Sequence, residues 1–134
     1  MMNRKLEYFL KIEVNESMEI IEDIITYEPL GDMSRETFIK NNLNSICPSF
    51  ATFFDSVNIL FDGYAFMMVN TPIIELTIDN FHRDIVGTFL IAKTFDQRKN
   101  QNAIGFSSEK ELLKSKDKLN IKYRYVGEMR DIFI

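Results

Sequence analysis

The chain has no tryptophan, one cysteine, one histidine, three prolines and five glycines among its 134 residues. Cys47 alone excludes an intramolecular disulfide and any multi-cysteine zinc site, which suits a reducing compartment. With His82 the single imidazole, a transition-metal site would have to be rich in carboxylates, and no such ligand spacing is present. The glycines are isolated, so there is no G-x-G-x-x-G and no Walker A loop; H-E-x-x-H and G-x-S-x-G are also missing. No stretch approaches the ~18 apolar residues of a membrane span. The start, MMNRKLEYFL, carries Arg4, Lys5 and Glu7 without a long apolar run, unlike a signal peptide. A soluble, cytoplasmic protein that needs no cofactor and no metal is the expectation.

What is present is enough apolar sequence, 46%, for one domain over residues 1–134, with a net charge of −4 that argues against nucleic acid or an anionic membrane as the main partner. The charge is uneven. Residues 1–62 hold 11 acids and 5 bases, whereas residues 63–134 hold 9 acids and 11 bases. Ile, Asn, Lys and Phe are abundant and Ala is rare, a bias expected of AT-rich coding DNA.

The stretch Pro48 to Gly63 places Phe50, Phe53, Phe54, Val57, Leu60 and Phe61 on one helical stripe, with Ser49 as N-cap and Gly63 as terminator, and predicts a central core helix. Leu6 to Val14 alternates as a strand, with a helix from Asn3 to Tyr27 as the competing reading. Glu16 to Thr26 fits a helix with Met18, Ile20, Ile21, Ile24 and Ile25 inward. Ser34 caps a further helix, about Arg35 to Ser45, with Met33 and Phe38 as a hydrophobic staple and Phe38, Ile39, Leu43 and Ile46 on one face.

After Gly63 the pattern becomes strand-like: YAFMMV at 64–69, alternating Ile74, Leu76 and Ile78, then Ile85 to Thr94, apolar on both faces like a central strand. Asp96 to Asn102 reads as an exposed loop. Ser108 to Glu111 is a capping box opening a short helix, Leu119 to Tyr125 a strand, and Met129, Ile132 and Phe133 a docking tail. The sum is an α+β domain: an N-terminal strand and three helices packed on a mainly antiparallel sheet.

Few residues suggest chemistry. His82 could act as a base oriented by Asp84 or Asp79, but a lone histidine at a polar hairpin is more often solvated. Cys47 has no basic neighbour in sequence to lower its pKa. Asp55, Asp62, Glu75 and Asp79 match no metal signature. Lys93 to Arg124 holds nine bases against four acids, yet Tyr123 and Tyr125 alternate with Lys122 and Arg124, so rings and charges point apart and the strip reads as a solvated face.

Glu16, Glu19, Glu22 and Asp23 form the most informative surface: four carboxylates on the predicted first helix with no Lys or Arg interleaved to gain i,i+4 pairs. Such a patch steers a cationic partner. In small size, acidity and lack of catalytic signatures the chain is similar in character to bacterial toxin-immunity proteins. The expectation is a binding protein, not an enzyme: an antidote that covers a basic toxin domain through these four residues, with no direct nucleic acid and no membrane. Two alternatives use the same chain. If Asn3 to Tyr27 were one helix, the fold would resemble a nuclear-transport-factor-2-like cone presenting His82, Asp84 or Tyr64 to a ligand. A phage-type inhibitor of a nucleic-acid enzyme would use the acidic patch as a phosphate mimic.

Overall fold

The computed structural model describes residues 6–45, 48–53, 57–68, 70–93 and 104–129. The alternation from Leu6 gives strand β1 (Glu7–Val14), which turns at Asn15–Glu19 into β2 (Ile20–Tyr27), antiparallel in register from Glu7↔Tyr27 to Val14↔Ile20. Helix α1 (Arg35–Leu43) opens on Ser34, whose hydroxyl accepts from the Thr37 N–H, and closes on Asn44 in the left-handed conformation (φ 51°). Strands β3 (Pro48–Phe53) and β4 (Val57–Asp62) form a second hairpin. A 3-10 turn (Ala65–Met67) leads to β5 (Pro72–Ile78), β6 (Phe81–Val86) and β7 (Phe89–Lys93); α2 (Glu109–Lys118) and β8 (Lys122–Glu128) follow.

Two antiparallel sheets result, a five-stranded one in the order β2-β1-β7-β4-β3 and a three-stranded one in the order β6-β5-β8. The large sheet is the middle layer. One of its faces, bearing Leu10, Ile12, Val57, Ile59, Phe89 and Ile91, packs on Ile74, Leu76, Ile78 and Ile85 of the small sheet and on Phe106, Leu112, Leu119 and Ile121 around α2. The opposite face, bearing Phe9, Leu60, Leu90, Ala92 and Tyr27, is covered by Ile39 and Leu43 of α1. The fold is therefore α+β with two helices among the described residues, not three.

Two expected helices are strands, for one physical reason. A strand in a middle layer is apolar on both faces, and this erases the period-2 signal. In β4, Val57 and Ile59 enter one core while Leu60 enters the other. In β2, Ile20 and Ile24 pack on one side and Ile25 on the other, so paired isoleucines mimic a helical stripe. Their β-branched character was the better guide. The predicted core helix at Pro48–Gly63 is thus the β3–β4 hairpin, and the predicted helix at Glu16–Thr26 is a turn and an edge strand. Residues 64–69 also differ from expectation: the segment makes the 3-10 turn, with Tyr64, Met67 and Met68 exposed. β7 is the central strand anticipated within Ile85 to Thr94.

Half of the expected capping box forms: Ser108 Oγ accepts from the Glu111 N–H, while the Glu111 carboxylate reaches one residue further back and accepts from the Ser107 N–H and hydroxyl. At the tail, the Met129 N–H donates to Thr71 O (2.9 Å). Ile46, Cys47, Phe54, Asp55, the segment 96–102 expected to be a loop, Ile132 and Phe133 lie outside the described residues.

One polar node ties three segments together. The Glu7 carboxylate accepts from Arg35 Nε (2.9 Å) and Nη2 (2.5 Å) and from the Gly105 N–H (2.8 Å). Its hydrogen bonds hold the Arg35 guanidinium above its usual pKa. Gly105 has no room for a side chain: a Cβ would lie 2.8 Å from Glu7 Cβ, Phe9 Cε2 and the Tyr8 nitrogen.

Candidate functional site: an acidic hairpin at an open sheet edge

The four carboxylates singled out in the sequence meet at one end of the large sheet, but not as a helical ridge. Asn15 organises the turn: its side-chain oxygen accepts from the N–H groups of Ser17 and Glu19 (both 2.9 Å), and its N–H donates to Glu19 O (2.9 Å). Met18 takes the left-handed conformation (φ 63°) that closes such a turn. Glu16 and Glu19 project from this tip, exposed together with Met18.

Glu22 and Asp23, adjacent on a strand, point to opposite faces. Glu22 lies on the face toward α2, where Lys116 Nζ reaches its Oε1 at 2.6 Å while sitting 5.2 Å from the centroid of the Tyr123 ring. The cation missing between Glu16 and Asp23 is therefore supplied from a residue 94 positions after Glu22. Asp23 lies on the α1 side of the sheet, opposite Lys11 in the β1–β2 register; Lys11 Nζ leans toward Glu13 at 3.9 Å. Asp23 is exposed and has no ion-pair partner among the described residues. Ile21, on the same face, is also exposed, 39% of its surface.

β2 is an edge, and its backbone can be oriented from two hydrogen-bond pairs. Tyr8 exchanges both backbone bonds with Phe106 (2.8 Å each), so the even residues of β1 turn their peptide groups away from β2. Asn15 donates to Glu19, so the odd residues of β2 turn theirs toward β1. In an antiparallel ladder the N–H and C=O of one residue point the same way. Ile20, Glu22, Ile24 and Thr26 therefore direct four donors and four acceptors outward, and no described residue bonds to them.

The other sequence candidates are dispersed. His82 stands exposed on the outer face of the small sheet, its Nδ1 3.0 Å from Thr77 Oγ1, and Asp84 faces Glu75 across the ladder. Glu75 meets Arg124 at 3.3 Å. Asp62 accepts from the Ser45 hydroxyl (2.8 Å) and the Tyr64 N–H (3.1 Å), a structural role. No group of three or more His, Cys, Asp or Glu able to hold a metal ion exists among the described residues. In the basic segment, Lys93 pairs with Glu111 (3.2 Å), and Tyr123 turns inward as the alternation predicts. The single helix over Asn3 to Tyr27 on which the nuclear-transport-factor-2-like expectation was built is not formed: residues 7–27 are a hairpin. The marked surface hollows, one along Glu109, Lys110, Leu113, Lys114 and Asp117, are open faces of helices and their ends. No helix among the described residues is long and apolar enough to cross a membrane.

Sequence reasoning missed the open backbone edge because it placed these residues in a helix. The signal that could have found it is the run Ile20, Ile21, Ile24, Ile25, Thr26 and Tyr27, rich in β-branched side chains. No protein-family model, no curated protein and no solved structure matches the chain.

Proposed function

We propose that this chain is an antidote-type binding protein that neutralises a basic bacterial toxin domain by covering part of its surface with the β1–β2 hairpin. The observation that supports this reading is the composition of that hairpin. Glu16, Glu19 and Asp23 are exposed beside the exposed apolar side chains of Met18 and Ile21. Mixed acidic and apolar exposure at one rim suits a protein interface: the apolar groups supply buried contact and the carboxylates supply steering and register. Glu16, Glu19 and Asp23 have no ion-pair partner among the described residues, which leaves their charge available to a partner.

The test is capture of a partner by the tagged chain from source lysate, together with the product of the adjacent reading frame. Wild type is compared with a variant carrying Glu16→Lys, Glu19→Lys and Asp23→Lys, plus Glu22→Gln, chosen because a lysine at 22 would repel Lys116. A basic protein retained by wild type, lost in the variant and progressively weakened by salt is the expected result. Capture unaffected by the four changes discards this surface. Capture of no basic protein discards the antidote reading, and capture of an acidic or neutral nucleic-acid enzyme replaces it with the phage-inhibitor reading.

A further inference from the structure

The outward peptide groups of Ile20, Glu22, Ile24 and Thr26 are the least explained feature of the described residues. We infer that the β2 edge is a docking strand: it binds an extended segment of a basic partner by β-strand addition, and that segment carries a Lys or Arg flanked two residues away on each side by apolar residues. The inference rests on the antidote reading for the partner's basic character and adds the mode of contact.

An incoming strand would exchange bonds with the four outward-facing residues and extend the large sheet to six strands. In register with β2, its alternate side chains would lie on the α1 side, opposite Ile21, Asp23 and Ile25. That face of β2 reads apolar, acidic, apolar, and its complement reads apolar, basic, apolar. Asp23 has no ion pair among the described residues to give up, whereas Glu22, on the other face, is held by Lys116. Specificity therefore centres on Asp23.

Exposed edges of this length are usually blunted against self-association by charge. Here, pairing two copies along β2 brings two Asp23 together on the α1 side, while the Lys116 held by each Glu22 lies on the other face. A basic strand replaces that repulsion with attraction. Asp23 therefore disfavours a second copy and favours a cationic segment.

The probe is a synthetic nonapeptide, acetylated and amidated, with the sequence Thr-Thr-Val-Thr-Arg-Thr-Val-Thr-Thr; the control replaces its Arg with Glu. Amide hydrogen exchange of the full chain is read by NMR. With peptide at about tenfold excess over its Kd, exchange at Ile20, Glu22, Ile24 and Thr26 should slow by about tenfold, while Ile21, Asp23 and Ile25 are unchanged. The Glu peptide should give no protection. Glu22→Pro deletes one outward donor while sparing the β1–β2 ladder, a position where an edge tolerates proline. It should stay folded by circular dichroism and lose the protection pattern. Asp23→Lys should lose Arg-peptide binding and gain Glu-peptide binding.

Absence of protection in wild type, equal protection by the Glu peptide, or full binding by the Glu22→Pro variant would overturn the inference. So would a concentration-dependent dimer that protects the same four amides without peptide. Any of these leaves the antidote reading standing on its side-chain surface. Loss of basic-partner capture with peptide binding intact would sink the antidote reading alone.

Discussion

Replacing Glu7 tests whether the node at Arg35 and Gly105 holds the N-terminal strand to α1 and to the segment before α2. The Glu7 side chain is 13% exposed and that of Arg35 is 30% exposed, so the pair lies between a surface bridge and a buried one. Exposed pairs contribute about 0–1 kcal/mol. Breaking a fully buried pair costs about 3–5 kcal/mol, because the remaining charge is stranded. Glu7→Ala removes the paired guanidinium contact and also orphans the Gly105 N–H, which has no room to shift beside the Tyr8 backbone. A loss of about 2–3 kcal/mol is expected. Arg35→Met keeps a stem beside Tyr27 but forfeits the cation 5.6 Å from that ring, and should cost about 1–2 kcal/mol.

The double-mutant cycle should then return a coupling of about 1–1.5 kcal/mol. Urea is the denaturant of choice, since guanidinium chloride would screen the pair being measured. Unfolding followed by far-UV circular dichroism gives each stability, provided m is unchanged. The exposed i,i+4 pair Lys40–Glu36 (3.1 Å) serves as internal reference and should couple by only about 0.3–0.5 kcal/mol. A Glu7–Arg35 coupling no larger than that reference would refute the argument and reduce the node to surface charge.

Three further outcomes are expected. Met18→Gly relieves a non-glycine residue in the left-handed region and should stabilise the chain by about 0.5–1 kcal/mol, read as a rise in the urea midpoint. The Tyr123 hydroxyl is buried with no hydrogen-bond partner among the described residues, so Tyr123→Phe should gain about 1 kcal/mol, or about 3–5 °C in Tm by differential scanning calorimetry. The Ser107 hydroxyl, aided by the Ser107 N–H and by Lys93, holds the Glu111 carboxyl below its usual range. A depressed carboxylate contributes stability above its unfolded pKa and loses that contribution as pH falls through the folded value. Glu111→Gln should therefore be less stable than wild type at neutral pH, and urea titrations in increasing acid should show the two converge below the ordinary carboxylate range.

How far the sequence could be read depended on how many sides of each strand are covered. β5 alternates cleanly and β1 does so apart from Phe9, which enters the second core, and α1 and α2 announce themselves through Ser34 and Ser108, whose caps are local chemistry independent of the rest of the chain. β2 and β4 were misread because their second faces are also apolar, and that covering comes from α1, which no local pattern reports. The four acids were legible as a concentration of charge. Their split between a turn tip and two faces of a strand was not, since it follows from strand geometry. The Glu22–Lys116 contact was equally out of reach: it joins β2 to a helix from the far end of the chain.

The order of strands in the large sheet also sets a timetable. β7 sits between β1 and β4, so the two N-terminal hairpins cannot join until Phe89–Lys93 exists. From Tyr27 to Phe89 the ribosome must add 62 residues, roughly 3–12 s at ~5–20 residues per second. Until then β1, and β4 once Asp62 has been added, each show a bare inner edge that β7 will later close, and the β1–β2 hairpin is held by its turn, its own ladder and α1, which packs on Phe9 and Tyr27. Closing a sheet through so distant a strand places this chain among slow folders. Until that central strand arrives, the carboxylates at positions 22 and 23 set like charge against like wherever two unfinished hairpins meet edge to edge.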